Sequence, residues 1–124
     1  MKILASRNEV QNFISRFLPK FEIWGVIFLD REKNNEALKA LGISNMIREE
    51  VIKSIEVDDY VQTIIQEASF GDMWVFGKDY KGTELYIKIA MGKPDEKTIC
   101  ISFHKAEYPL QYAYKEDIRN DDGH

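Results

Sequence analysis

The chain has 124 residues, of which 44% are hydrophobic and 31% charged, and its formal net charge is −4. This length suits one domain with its own core, and the balance excludes a largely disordered chain. The acidic net charge argues against a strongly basic nucleic-acid-binding protein, although residues 73–115 carry seven lysines against five acidic residues.

Targeting and metal signals are missing from the sequence. No apolar run approaches the ~20 residues that a membrane-spanning helix needs, and residues 1–8 lack the apolar stretch of a signal peptide. The single cysteine, Cys100, excludes an intrachain disulfide, and no Cys/His spacing typical of a metal site occurs. We therefore expect a cytoplasmic protein that needs no membrane, metal or other cofactor.

An amphipathic helix is predicted near the start of the chain. Ser6 and Glu9 have the spacing of a capping box, and apolar residues then recur at helical intervals up to Leu18. Pro19 is expected to end this helix. Residues 21–29 are rich in aromatic and β-branched side chains and are predicted to form a buried strand.

Two short helices are predicted in the middle of the chain. Residues 35–41 suit a helix with Gly42 as its C-terminal cap, and Ser44 can cap the next helix. Residues 60–65 fit either a strand or a continued helical turn, and a strand is favoured.

Three strands are predicted in the final third of the chain, at residues 73–80, 84–91 and 98–104. The turns between them are short, and the first contains Gly82, so an antiparallel meander is favoured. Helices followed by such a sheet indicate one α+β domain over residues 1–115, with the N-terminal helices packed on one face of the sheet. The acidic residues 116–124 are expected to be a disordered tail.

Strand alternation sorts the side chains of the last two strands onto two faces. Tyr86 and Lys88 oppose one apolar set, while Ser102 and His104 oppose a second set that includes Ile101. Turning both apolar sets toward the helices brings the four polar side chains to the other face, where neighbouring strands lie ~4.8 Å apart. They could converge on one ligand, and the His104 imidazole is a candidate proton donor or acceptor.

Spacing alone favours a plainer alternative, in which this face is only the solvent side of the sheet. Cys100 falls on the same face in this alternation and is expected to be a small, partly buried filler. Three tyrosines follow within residues 108–114. They can pack back over the sheet edge or offer a surface for bases or for a partner, and both alternatives stay open.

Short motifs in the second half resemble the MqsR family of bacterial toxins. Residues 86–89 read Tyr-Ile-Lys-Ile and residues 101–104 read Ile-Ser-Phe-His, close to the Tyr-x-Lys-Ile and Val-Ser-Phe-Lys of that family. Trp74 at the head of the meander and an Asp-x-Tyr pattern that ends at Tyr60 extend the resemblance. The order of helices and strands is similar as well.

The resemblance implies a RelE-like fold and a metal-independent endoribonuclease of a toxin–antitoxin system. Such an mRNA interferase cleaves single-stranded mRNA through the 2′-hydroxyl of the substrate and is neutralised by a cognate antitoxin. By this resemblance Tyr86, Lys88 and His104 are catalytic, with Lys88 stabilising charge and His104 acting as general acid. The residues implied in substrate binding are Ser102, Lys78, Trp74 and Tyr60. Whether the ribosome takes part stays open.

Besides His104, which stands where the family carries Lys, two positions depart from the family pattern. Val61 follows Tyr60 where family members carry Lys, and Val75 follows Trp74 where they carry Gln. The chain is also acidic, whereas the known toxins are strongly basic. These departures leave open a second function, a non-catalytic protein-interaction module that keeps the same fold.

Overall fold

The computed structural model describes residues 1–65 and 71–115. In chain order the elements are β1 (Lys2–Ile3), α1 (Arg7–Trp24), β2 (Val26–Phe28), α2 (Glu32–Leu41), α3 (Asn45–Lys53), a 3₁₀ turn (Val57–Asp59), β3 (Tyr60–Ile64), β4 (Met73–Tyr80), β5 (Thr83–Ala90) and β6 (Thr98–Lys105). The predicted α+β class is confirmed. The predicted tail at residues 116–124 lies outside the described residues.

One six-stranded sheet runs through the domain in the order β1-β3-β4-β5-β6-β2. The predicted meander of β4, β5 and β6 is antiparallel, whereas β2 pairs in parallel with β6 at the sheet edge. Lys81 and Gly82 join β4 to β5 with φ values of 51° and 85°. Positive φ at both positions suits a two-residue hairpin turn, whose twist matches that of the strands.

The first helix begins as predicted but continues further. The Ser6–Glu9 capping box is present, whereas the predicted end at Pro19 is wrong and the helix runs on to Trp24. Pro19 is exposed, so the helical hydrogen bond that it removes can be replaced by water. Phe21 also extends the buried stripe, so that the strand predicted for residues 21–29 is reduced to the three residues of β2.

The two middle helices match their predicted caps. Gly42 ends α2 in the left-handed conformation at φ 65°, and the Ser44 hydroxyl accepts a hydrogen bond from the backbone N–H of Ile47 at 3.2 Å. α1 and α3 contribute to the main core on one face of the sheet, while α2 packs along β6. No helix among the described residues is long and apolar enough to cross a membrane.

A bulge in β6 changes the predicted faces of Ile101 and of the residues before it, Ile99 and Cys100. Lys88 of β5 pairs with Ser102, but the next residue, Ile89, pairs with Cys100, so Ile101 is the extra residue. Cys100 therefore lies in the main core, and Ile101 joins a smaller apolar cluster. The faces predicted for Ile99, Cys100 and Ile101 are wrong because strict alternation does not hold across a bulge.

Residues 106–115, here named the C-terminal strap, cross one end of the sheet. The Glu84 carboxylate accepts hydrogen bonds from the backbone N–H of Leu110 at 3.0 Å and from the Tyr112 hydroxyl at 2.6 Å. Further on, the Tyr114 ring stacks on Tyr60 with ring centroids 6.0 Å apart. Two of the three tyrosines therefore pack against the sheet, whereas Tyr108 is 71% exposed.

Candidate functional site

Four of the predicted site residues meet on the face of the sheet opposite the main core. Tyr86 pairs with His104 across β5 and β6, and Lys88 pairs with Ser102. The rings of Tyr86 and His104 stack with centroids 5.2 Å apart and planes 12° apart. All four side chains line one open cavity of about 420 Å³. This volume is within the range of ordinary small-ligand sites.

The cavity has two further walls. One is the chain around the start of α2, and the other is the first part of the C-terminal strap. These walls contribute the residues Arg31, Glu32, Lys33, Asn34, Glu107, Tyr108 and Leu110. A salt bridge between Lys33 and Glu107 joins the two walls. The predicted face is thus a bounded cavity instead of an open solvent surface.

Two positive charges lie together inside this cavity. Burial lowers the pKa of the Lys88 ammonium, and the nearby charges of Arg31 and Lys2 lower it further. The Arg31 guanidinium lies 3.4 Å from the Ser102 hydroxyl and 3.5 Å from a backbone carbonyl. Among the described residues neither Lys88 nor Arg31 forms a salt bridge. Lys88 is partly buried and Arg31 is exposed. An anionic ligand between them would relieve their mutual repulsion.

The hydrogen bond of His104 fixes which ring nitrogen can exchange a proton. Its Nδ1 lies 2.9 Å from the backbone carbonyl of Lys105. A carbonyl only accepts hydrogen bonds, so Nδ1 carries a proton. Nε2 is then an acceptor in the neutral ring and a donor in the imidazolium. This nitrogen is the one available for general acid or base chemistry.

The hydroxyls of Tyr86 and Ser102 add two uncharged hydrogen-bonding groups to the cavity. Burial raises the pKa of the Tyr86 phenol, and Tyr108 and Glu107 add to the effect, whereas Arg31 opposes it. The phenol therefore stays protonated at neutral pH and can donate a hydrogen bond. Ser102 is 3% exposed and is the most deeply placed of the four predicted residues.

Three other residues predicted to bind substrate lie elsewhere. Lys78 forms a salt bridge with Asp59 at 2.9 Å. Trp74 stacks on Phe13 with ring centroids 4.4 Å apart, and Tyr60 is fully buried with its hydroxyl hydrogen-bonded in the core. All three point to the main-core side of the sheet, so the structure does not bring them into the cavity.

Sequence reasoning missed Arg31 and Tyr108. Arg31 lies in a polar connector, and no local spacing marks it as functional. Arg31 could have been found only by predicting the parallel pairing of β2 with β6, because this pairing directs the residues after β2 along the second half of β6. Tyr108 has no separate signal in the sequence, because it belongs to a tyrosine-rich segment whose other members, Tyr112 and Tyr114, pack against the sheet.

The described residues offer neither a metal site nor a reactive thiol. In residues 1–65 and 71–115 no three His, Cys, Asp or Glu side chains meet in a way that could hold a metal ion. The Cys100 thiol is on the opposite side of the sheet from the cavity, and burial raises its pKa to about 12. A thiol with so high a pKa is a poor nucleophile near neutrality.

Comparison of the chain with protein-family models, curated proteins and solved structures found no match. The cavity offers Lys88 and Arg31 as cations for an anion, one imidazole for proton transfer, and the hydroxyls of Tyr86, Ser102 and Tyr108 as hydrogen-bond donors. Its other charged groups are the Glu32 carboxylate and the paired Lys33 and Glu107. The two cations, the imidazole and the hydroxyls suit a phosphate group whose ester bond is to be broken.

Proposed function

We propose that this protein is a metal-independent endoribonuclease that cleaves single-stranded RNA through the 2′-hydroxyl of the substrate. The observation that supports it most is that the His104 imidazole, with its Nε2 not engaged by the Lys105 carbonyl, lines the same cavity as two cations that form no salt bridge within residues 1–65 and 71–115. All four strand residues that line this cavity fall within the MqsR-like motifs, namely Tyr86, Lys88, Ser102 and His104, the last in place of the family's Lys. The activity would act on cytoplasmic mRNA.

The proposed reaction is an internal transesterification. The 2′-hydroxyl releases its proton to solvent water as its oxygen attacks the phosphorus. The bond from phosphorus to the 5′-oxygen then breaks, and the products carry a 2′,3′-cyclic phosphate and a 5′-hydroxyl. Lys88 and Arg31 would stabilise the extra negative charge of the phosphorane. The hydroxyls of Tyr86 and Ser102 would donate hydrogen bonds to its oxygens.

His104 would protonate the departing 5′-oxygen. The hydrogen bond from Nδ1 to the Lys105 carbonyl holds the ring, and the imidazolium donates its Nε2 proton. Stacking on Tyr86 restricts the ring further. General acid catalysis of this kind contributes about 10²–10⁴-fold to a rate.

Arg31 compensates for one departure from the family pattern, the absence of a lysine at the position of Val61. The chain has Val61 and Val75 where the family carries Lys and Gln, and Val75 is fully buried. Arg31 brings a second cation to the cavity from the connector before α2. The charge that Val61 does not supply is therefore available from another part of the chain.

The proposal includes a cognate antitoxin as protein partner. Since activity would require RNA to reach Lys88 and His104, a protein that covers the cavity would neutralise the enzyme. The acidic net charge and the two valines favour a second candidate, an interaction module without catalysis. A stable complex with a partner, without any toxicity on expression, would support that candidate.

The test incubates purified protein with a long single-stranded transcript in EDTA and analyses the new ends. We expect 2′,3′-cyclic phosphate ends from the wild type and a strong loss of product with His104→Ala and Lys88→Ala. Lys93→Ala is the matched control, because Lys93 is an exposed lysine of the β5–β6 turn outside the cavity. Absence of cleavage by the wild type, or equal cleavage by all variants, would reject the ribonuclease.

A further inference from the structure

A second cavity, of about 320 Å³, adjoins the first one at His104. It lies between α2 and the end of β6, and its lining consists of Lys33, Glu36, Ala37, Ala40, His104, Lys105 and Glu107. Three of these residues, Lys33, His104 and Glu107, line both cavities. The imidazole therefore stands at the junction of two spaces of similar volume.

We infer that this second cavity binds the nucleotide on the 3′ side of the cleaved bond. The inference rests on the proposed function, in which Lys88 holds the reacting phosphate and His104 protonates the 5′-oxygen. That oxygen belongs to the nucleotide that follows the phosphate. With the phosphate at Lys88 on one side of the imidazole, the leaving nucleotide continues on the other side, where the second cavity lies.

The lining of the second cavity suits a nucleotide. Ala37 and Ala40 are small and leave room along α2 for a sugar or a base. Lys33 is neutralised by its salt bridge to Glu107, whereas Lys105 is exposed and forms no salt bridge within the described residues. Lys105 is therefore the cation available for the next phosphate along the RNA, and the Glu36 carboxylate can accept a hydrogen bond from a sugar or base.

The test uses the cleavage site mapped in a long transcript. Short RNA substrates share one 5′ flank and end one, two or four nucleotides beyond the cleaved bond, so that only the longer two carry a further phosphate. Lys105→Glu should lower kcat/KM for the longer substrates by about tenfold and leave the shortest substrate nearly unchanged. Lys39→Glu is the charge-matched control, since Lys39 is exposed on α2 outside both cavities.

Salt dependence gives a second readout that a general loss of stability would not change. Lys105→Ala should reduce the slope of log kcat/KM against log salt by about 1 for the longer substrates, as the loss of one phosphate contact requires. If the wild type cleaves all three substrates and Lys105→Glu behaves like Lys39→Glu, the second subsite is rejected and the ribonuclease remains. If the folded wild type cleaves none of them, both proposals are overturned.

Discussion

The side-chain amide of Asn34 holds the backbone of Phe103, whose N–H donates to Asn34 Oδ1 at 2.9 Å. The same amide donates from Nδ2 to the carbonyls of Ile101 at 3.1 Å and Leu29 at 3.2 Å. These backbone groups lie just past the short pairing of β2 with β6, where strand hydrogen bonds are no longer available. Asn34 thereby holds β6 next to its bulge, on either side of Ser102.

Replacement of Asn34 by Ala should destabilise the fold. Asn34 is 2% exposed, so the Phe103 N–H would be left buried without its hydrogen bond, and the Leu29 and Ile101 carbonyls would each lose one. Each such group costs about 1–3 kcal/mol, and we expect the free energy of unfolding to fall by about 2 kcal/mol or more. Urea unfolding measures the change. Asn35→Ala is the control, because within the described part of the chain the exposed Asn35 side chain donates to Asp30 alone. Similar midpoints for both variants would contradict the assignment.

His104 is expected to affect the reaction more than the fold. His104→Ala should lower kcat/KM for RNA by about 10²–10⁴-fold, the usual contribution of a general acid. Added imidazole should restore part of the rate, because a free imidazolium can enter the space that the side chain leaves. Initial rates with and without imidazole provide the measurement. A variant that keeps wild-type rates would remove His104 from the mechanism.

The positive charge of Lys88 should lower the stability of the fold, and the same charge should be required for RNA cleavage. Burial and the charge of Arg31 lower the pKa of the folded-state ammonium, which means that folding disfavours its charged form. Lys88→Met keeps an unbranched side chain as far as the ε position and removes the charged amino group. We expect a higher melting temperature for Lys88→Met together with loss of cleavage, and a lower melting temperature would contradict this account.

The pH dependence of Lys88 follows from the same shift. Between its lowered folded-state pKa and the ordinary value near 10.5, the unfolded chain binds more protons at this residue than the folded chain. Stability therefore rises with pH in that window. The stability advantage of Lys88→Met should be full at neutral pH and should shrink as the pH rises through the window. Thermal unfolding of both proteins at pH 7 and above pH 9 tests this trend.

The C-terminal strap should keep its position only while residue 77 has no side chain. A Cβ added at Gly77 would overlap the Tyr112 hydroxyl and would lie 2.7 Å from Leu110 Cδ1. Gly77→Ala should therefore lift the strap, at a cost of about 1–3 kcal/mol. Hydrogen exchange should accelerate at the amides of Leu110 and Ala113, which bond to Glu84 and Tyr60. Unchanged exchange there relative to the amides of β5 would show that the strap tolerates the methyl group.

The parts of the fold that depend on interactions between neighbouring residues were the most predictable from the sequence. The cap at Ser6, the left-handed end at Gly42 and the hairpin at Gly82 each depend on a few neighbouring residues, and each was predicted. Pro19 misled the prediction because its effect depends on which side of the helix it occupies. That side is set by packing against the sheet, which no local pattern reports.

The candidate site was predictable in part for the same reason. Tyr86 and Lys88 lie two residues apart on one strand, so alternation alone puts them on one face. Arg31 reaches the cavity only because β2 adds to β6 in parallel, and that pairing joins residues about 70 positions apart. The bulge at Ile101 likewise depends on the pairing of β6 with β5 on one side and with β2 on the other.

That bulge gives the protein a built-in chemical reporter. By turning Cys100 inward, it leaves the only thiol of the chain 1% exposed and with a pKa of about 12. An alkylating reagent can react only after β6 separates from its neighbours, because the thiolate is scarce and shielded until then. The labelling rate of the unmodified protein thus measures how often the strand that carries Ser102 and His104 opens.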